Sequence, residues 1–145
     1  MSLSLIHHRS EWDVTDLEPA VVTIRKREPE HLHRMDGLDL KLLLPWDGVA
    51  APFRGAWCVL RPGDVALEHA HEDREIFFVM SGRAEVRGGG KRYEIAAGDL
   101  VFLPPGLAHQ VVNETDEDVS YYAIWWDTSM SEEFLARQAT PAEAG

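Results

Sequence analysis

The chain has 145 residues, with 14 Lys and Arg against 25 Asp and Glu, a formal net charge of −11 and 45% hydrophobic residues. That length fits one domain with its own core, and the acidic balance leaves no cationic excess to neutralise phosphates, which argues against nucleic acid as a partner. No apolar run approaches a membrane-spanning length, and the short apolar start is broken by His7, His8, Arg9 and Glu11, unlike a signal peptide; a cytoplasmic protein with no membrane partner is expected.

Along the chain, turn residues recur at short intervals. Val21, Val22, Thr23 and Ile24 offer a spare strand to a sheet edge, on this chain or on a second subunit. His31 and His33 are one residue apart, but they sit in a polar, Pro29-led stretch with Glu30 and Arg34, so a solvated connector is expected there. Adjacent His7 and His8 point apart on any regular backbone. Leu38, Leu40, Leu42 and Leu44 alternate with Asp39 and Lys41 and stop at Pro45, which predicts a half-buried strand. Residues 56–60 predict the next strand, ahead of the Pro62-Gly63 turn. Residues 75–81 are apolar on both faces and predict a central strand. Gly88, Gly89 and Gly90 join residues 84–87 to 92–95 as a hairpin. Residues 100–103, 110–112 and 119–126 bring the total to at least eight strands. Short connections between so many strands imply an all-β jelly roll, a double-stranded β-helix closed as a barrel. Residues 131–138, with Ser131 as N-cap candidate, Glu132 and Glu133 in the first turn and Arg137 near the end, predict a short C-terminal helix followed by a loose tail over 140–145. The expected division is an arm over 1–36, a barrel over 37–127, and helix plus tail over 128–145.

Within this frame His69, His71, Glu75 and His109 form a complete ligand set for a transition metal. On extended backbone, side chains at i and i+2 share a face, so His69 and His71 can converge on one ion, and no helix offers that geometry. Pro104 and Gly106 mark a turn from which His109 can face back toward them. Imidazole nitrogen with carboxylate oxygen suits Fe(II), Mn(II), Co(II), Ni(II) or Zn(II), and four protein ligands leave up to two octahedral positions open for substrate or dioxygen. Cys58 is the only cysteine, so a disulfide or a cysteine-rich zinc site within one chain is excluded. Asp64 and Asp99 each follow a turn glycine and are expected to hydrogen-bond their own turns.

The spacing of these residues resembles both signature motifs of the cupin superfamily. The first reads Gly63, five residues, His69, one, His71, three, Glu75, six, Gly82; the second reads Gly98, five, Pro104, one, Gly106, two, His109, three, Asn113. No motif position departs from the pattern. The resemblance implies the same barrel, and it implies a homodimer, because such barrels usually pair through an exposed sheet. It does not choose an activity, since dioxygenases, isomerases, epimerases, lyases, decarboxylases, sugar-binding regulators and storage proteins share the fold.

Strand parity predicts a largely apolar pocket. Leu67 shares a face with His69, Phe77 and Val79 with Glu75, and Val111 with His109, while Trp57, Tyr122, Ile124 and Trp126 are the aromatic and aliphatic candidates for the remaining wall. An uncharged or amphipathic organic substrate is expected in preference to a sugar phosphate. The leading reading is a metal-dependent enzyme holding one divalent ion per chain, Fe(II) or Mn(II) in first place, with dioxygenase-like oxidoreductase chemistry. A lyase or isomerase using the ion as a Lewis acid is the alternative, and a non-catalytic small-molecule binder is the third. No residue is singled out as general acid or base.

Overall fold

The structure, a computed structural model, describes residues 13–144; the expectations placed on residues 1–12, His7 and His8 among them, lie outside it. Nine strands are described: β1 (His33–Met35), β2 (Leu38–Leu44), β3 (Arg54–Leu60), β4 (Arg74–Ser81), β5 (Arg83–Gly88), β6 (Lys91–Ala96), β7 (Leu100–Leu103), β8 (His109–Val112) and β9 (Val119–Trp126). A six-stranded sheet runs β1-β2-β3-β9-β4-β7 and a three-stranded sheet runs β6-β5-β8. The inward faces of both contribute to one core, in which Leu60, Phe77, Val79 and Val119 from the large sheet meet Ala84, Val86, Ile95 and Val111 from the small one. β4 lies between β9 and β7, as its apolar faces predict.

Turns with identifiable chemistry close the strands. Gly89 and Gly90, both at positive φ, make the two-residue loop between the Gly88–Lys91 ends of β5 and β6. Asp64 accepts from the Arg61 N–H at 2.8 Å and Asp99 from the Ala96 N–H at 2.8 Å, so both carboxylates hold their own turns as expected. Asn113, fully buried after β8, uses its whole amide. Its Nδ2 donates to the Leu60 and Glu117 carbonyls at 2.9 and 2.7 Å, and its Oδ1 accepts from Thr115 N–H and Oγ1 at 2.9 and 2.7 Å. An apolar residue there would strand the buried Leu60 carbonyl.

Several expectations need correction. The stretch read as a connector contains β1, whose three residues are all exposed and so carry no hydrophobic alternation to read. His31 sits in a 3₁₀ turn, Pro29–His31, paired with Glu28 at 2.8 Å, and His33 opens β1. Residues 21–24 form no strand within the chain. The helix, α1 (Thr128–Ala144), starts three residues earlier than expected and runs through most of the presumed tail. Asp127, not Ser131, supplies the cap, accepting from the Ser129 N–H at 2.8 Å. Ser131 instead accepts a hydrogen bond from Trp126 Nε1 at 2.7 Å. Among the described residues no helix is long and apolar enough to cross a membrane.

Gly82, the last residue of the first motif, shows how tightly backbone is packed at the β4–β5 corner. It has φ +81°, and a Cβ there would stand 2.3 Å from the Asp118 carbonyl oxygen. Gly82→Ala combines a left-handed backbone with a backbone clash, so it is expected to cost at least about 2 kcal/mol. Urea denaturation with the slope m unchanged is the measurement.

Candidate metal centre

The two histidine-bearing segments meet through the main chain. His69 and His109 form an isolated antiparallel bridge, His69 N–H donating to the His109 carbonyl at 3.2 Å and His109 N–H to the His69 carbonyl at 3.0 Å. Gly106 N–H, in the turn before β8, donates to the His71 carbonyl at 2.8 Å. His69 and His71 therefore lie on extended backbone tied by bridges, not in the continuous strand that alternation predicts. Ring centroids are 4.8 Å apart for His69 and His109, 5.2 Å for His71 and His109, and 5.4 Å for His69 and His71.

Each ring is oriented by a nearby carbonyl. His69 Nδ1 donates to Leu67 O at 3.0 Å, His71 Nδ1 to Asp73 O at 2.9 Å and His109 Nδ1 to Leu107 O at 3.0 Å. A carbonyl only accepts, so all three Nδ1 atoms carry hydrogen and Nε2 is the free donor atom of each neutral ring. The three histidines each present one ligand atom, all within 4.8 Å of one another. Glu75, the second residue of β4, reaches into the same space, with Oε1 3.0 Å from His71 Nε2 and 3.8 Å from His109 Nε2. Without an ion, only a proton can bridge the His71–Glu75 contact. A divalent ion would replace that proton, and the set of three imidazoles and one carboxylate fits a first-row transition metal.

A cavity of about 460 Å³ opens beside this cluster. Leu67, Phe77 and Val111 line it as expected. Val79 shares the inward face but lies deeper, with no exposure at all, inside the core. The wall from β3 and β9 has the opposite parity to the one expected. Ala56 and Cys58 point inward from β3, and Tyr121, Ala123 and Trp125 from β9, while Trp57, Tyr122, Ile124 and Trp126 face the other side of the sheet. All nine of these residues are apolar or aromatic, so periodicity alone does not choose between the faces. The signal overlooked is size: Ala56, Cys58 and Ala123 are small residues, and they leave room for a cavity beside the histidines. Leu38, Leu40 and Leu42 of β2 close another side, and Asp36 and Asp73 also line the cavity. No lysine or arginine lines it among the described residues.

Burial sets the electrostatics. Desolvation holds the Glu75 carboxyl above its ordinary value, against the opposing pull of His71 and His69. Desolvation likewise holds His109 below the usual histidine value, with the other two histidines acting in the same direction. The Cys58 thiol is pushed up to about 12, first by burial and then by the Glu75 charge. Burial also raises the Tyr121 phenol well above its ordinary range, so it stands in the wall as a neutral hydroxyl beside Cys58.

Barrel, paired motifs and histidine cluster together define the class, and the chain belongs to the cupin superfamily. It matches the Cupin domain family over residues 56–125. It is similar to a Cupin 2 conserved barrel domain protein from Salinispora arenicola, with 45% identity, 81% of this chain and 98% of that chain covered, and a TM-score of 0.72. A polyketide synthase, CurC, from Streptomyces cyaneus is 32% identical over 105 residues, 70% of this chain and 66% of that protein. An acireductone dioxygenase from Schizosaccharomyces pombe is 33% identical over 87 residues, 50% of this chain and 49% of that protein. The chain spans about half to two thirds of the length of these curated relatives.

Two outcomes follow. The raised Glu75 value means that its neutral form stabilises the metal-free fold below an unfolded value near 4.5, and that this stability is lost as pH rises through the folded value. Glu75→Gln, neutral at every pH, should therefore raise the melting temperature of the metal-free chain at pH 7 by about 2–4 °C, with the difference vanishing below pH 4.5. Cys58 should resist thiol-alkylating reagents at pH 8 until the chain unfolds, as a pulse of reagent with and without urea would show.

Proposed function

We propose that the chain is a metal-dependent enzyme with dioxygenase-like oxidoreductase chemistry on a small, largely apolar organic substrate. One observation carries this reading: three imidazole donor atoms converge with Glu75 at the wall of a 460 Å³ cavity that holds no cationic side chain. His69, His71, Glu75 and His109 would hold one divalent ion, Fe(II) or Mn(II) in the first place. Such an ion would supply redox chemistry between a bound organic substrate and dioxygen. The likeness to an acireductone dioxygenase supports this choice among the chemistries found on the fold.

The remaining work falls to the chain's own residues. The backbone carbonyls of Leu67, Asp73 and Leu107 fix the imidazole tautomers before any ligand arrives. Phe77 and the leucines of β2 exclude water and favour an apolar substrate body. Tyr121, neutral and facing the cavity, offers one hydrogen bond to a substrate oxygen. A lyase or isomerase reading, with the ion as a Lewis acid, draws on the same hydroxyl.

Purified chain should carry close to one transition ion, and the double substitution His69→Ala with His71→Ala should abolish retention. Full stoichiometry in that variant refutes the ligand assignment. Affinity should fall in acid, because the imidazole ligands must be neutral to bind. Glu75→Gln then separates the chemistries. It removes the one negative ligand, so metal-saturated variant should lose at least about tenfold in oxygen consumption if the reaction is redox, whereas a Lewis-acid lyase keeps most of its turnover. Oxygen electrode measurements across a panel of small enolisable and aromatic substrates make the comparison; undiminished oxygen-dependent turnover in Glu75→Gln refutes the redox reading.

A further inference from the structure

The charged groups that line the cavity beside the histidines are all acidic. Asp36, Asp73 and Glu75 contribute to its wall and no lysine or arginine does among the described residues, although the chain carries 14 of them. Glu75 belongs to the ligand set, which leaves two carboxylates that the metal reading does not use. Main-chain bonds fix both. Asp36 and Gly37 form the two-residue turn between Met35 and Leu38, and the Asp36 carbonyl accepts from the Leu67 N–H at 2.7 Å, two residues before His69. Gly37 packs against the Val65 carbonyl with no room for a Cβ. Asp73 is held through its own carbonyl, which accepts from His71 Nδ1 at 2.9 Å.

Neither carboxylate is neutralised. No hydrogen bond or ion pair engages the side chain of Asp36 or Asp73 among the described residues, and Asp73 instead adds its negative charge to that of Glu75. The neighbouring cations are turned elsewhere. Arg34 is held by Asp39 at 2.8 Å and Asp64 at 2.9 Å, and Arg74 opens β4 opposite Trp126, on the outer side of the sheet. Around the two acids the lining is apolar. Met35 and Leu67, next to Asp36, are 52% and 58% exposed where the cavity meets solvent.

We propose that the cavity selects an amine: a substrate with an oxygen head that chelates the ion, a short apolar body, and a cationic group at the far end paired with Asp36 and Asp73. This rests on the metal reading and narrows it to one substrate class. The reach is short. Asp73 lies at most about 7 Å along the chain from Glu75, so a molecule little larger than a phenol spans from the ion to the acidic rim. Charge then acts twice. A chelating pair of anionic oxygens cancels the positive charge of the ion, so a second charged group on the substrate meets only the two aspartates. The chain as a whole, at −11, draws cations toward the cleft and repels anions from it.

Calorimetric titration of the zinc-loaded full chain tests this with dopamine, 4-propylcatechol and dihydrocaffeate, which share one head and differ in the charge of the tail. Zinc has no redox chemistry, so binding is read without turnover. At low salt dopamine should bind at least about tenfold more tightly than dihydrocaffeate, with the neutral propyl compound between them. Asp36→Asn with Asp73→Asn should bring dopamine and dihydrocaffeate to within about twofold of each other, while propylcatechol affinity and zinc retention stay unchanged. Asparagine tolerates the left-handed φ of +54° at position 36, and the carbonyl that orients His71 is kept. If the double variant fails to fold, Asp73→Asn alone decides by narrowing the ratio at least about threefold. Equal binding of dopamine and dihydrocaffeate by the wild type overturns the proposal and leaves the metal reading standing. A dopamine preference that survives the substitutions overturns it equally. Failure of all three catechols to bind overturns the open metal site, and the proposal with it.

Discussion

The reciprocal backbone pair between His69 and His109 is the constraint on which the centre rests. Two hydrogen bonds at 3.2 and 3.0 Å fix the facing main chains, and the 2.8 Å bond from Gly106 to His71 prevents them from sliding. Ring positions then follow from backbone positions, with one rotamer choice left for each side chain. That choice is made locally, because each Nδ1 finds a carbonyl two residues away along its own segment. The tautomers are thus set by main-chain geometry and not by buried carboxylates, so substitution of the side chains at positions 67, 73 or 107 leaves the orienting acceptor in place.

A barrel that holds such a centre gives up core. Around the histidine cluster the inward positions of β3 and β9 include Ala56, Cys58 and Ala123, which leave a cavity where larger residues would pack. The loss is offset further along the same strands. Leu60, Val79 and Val119 have no exposure at all, and Phe77 stacks on Tyr121 at 4.4 Å between the packed end and the open end. The fold is divided along the strands into a dense half that stabilises and a hollow half beside the histidines. Asn113 belongs to the first, tying the end of β8 to β3 at Leu60 through a fully satisfied amide.

Strand limits and the histidine cluster were legible in the sequence, because there residue identity carries the information. Turn glycines and prolines mark the strand limits, and histidines and a carboxylate in fixed spacing mark the centre, because few other residue types supply those φ angles or donor atoms. Parity in β3 and β9 was not legible. Those strands are apolar on both faces, one lining a cavity and the other an exposed sheet, so hydrophobic alternation disappears and the larger aromatics attract attention on the wrong side. β1 escaped for the opposite reason, since three exposed residues carry no pattern. At the helix, two residues with capping side chains compete, and Asp127 prevails because Ser131 is already engaged by the Trp126 indole.

What the cavity admits follows from charge. Glu75, Asp36 and Asp73 are the acidic groups of its lining, and no lysine or arginine opposes them among the described residues. A resident divalent ion on three neutral imidazoles and one carboxylate would leave about one net positive charge at the centre, enough to favour a single anionic oxygen pair. A second anionic group on the substrate would have to sit among Leu38, Leu40, Phe77 and Val111 with no cation to meet it, and burying an unpaired charge in such surroundings costs several kcal/mol. Phosphorylated sugars and small dicarboxylates are therefore poor fits for the proposed site, whereas an enolisable or phenolic head on an apolar body would suit the proposed ion, the Tyr121 hydroxyl and the leucine wall together.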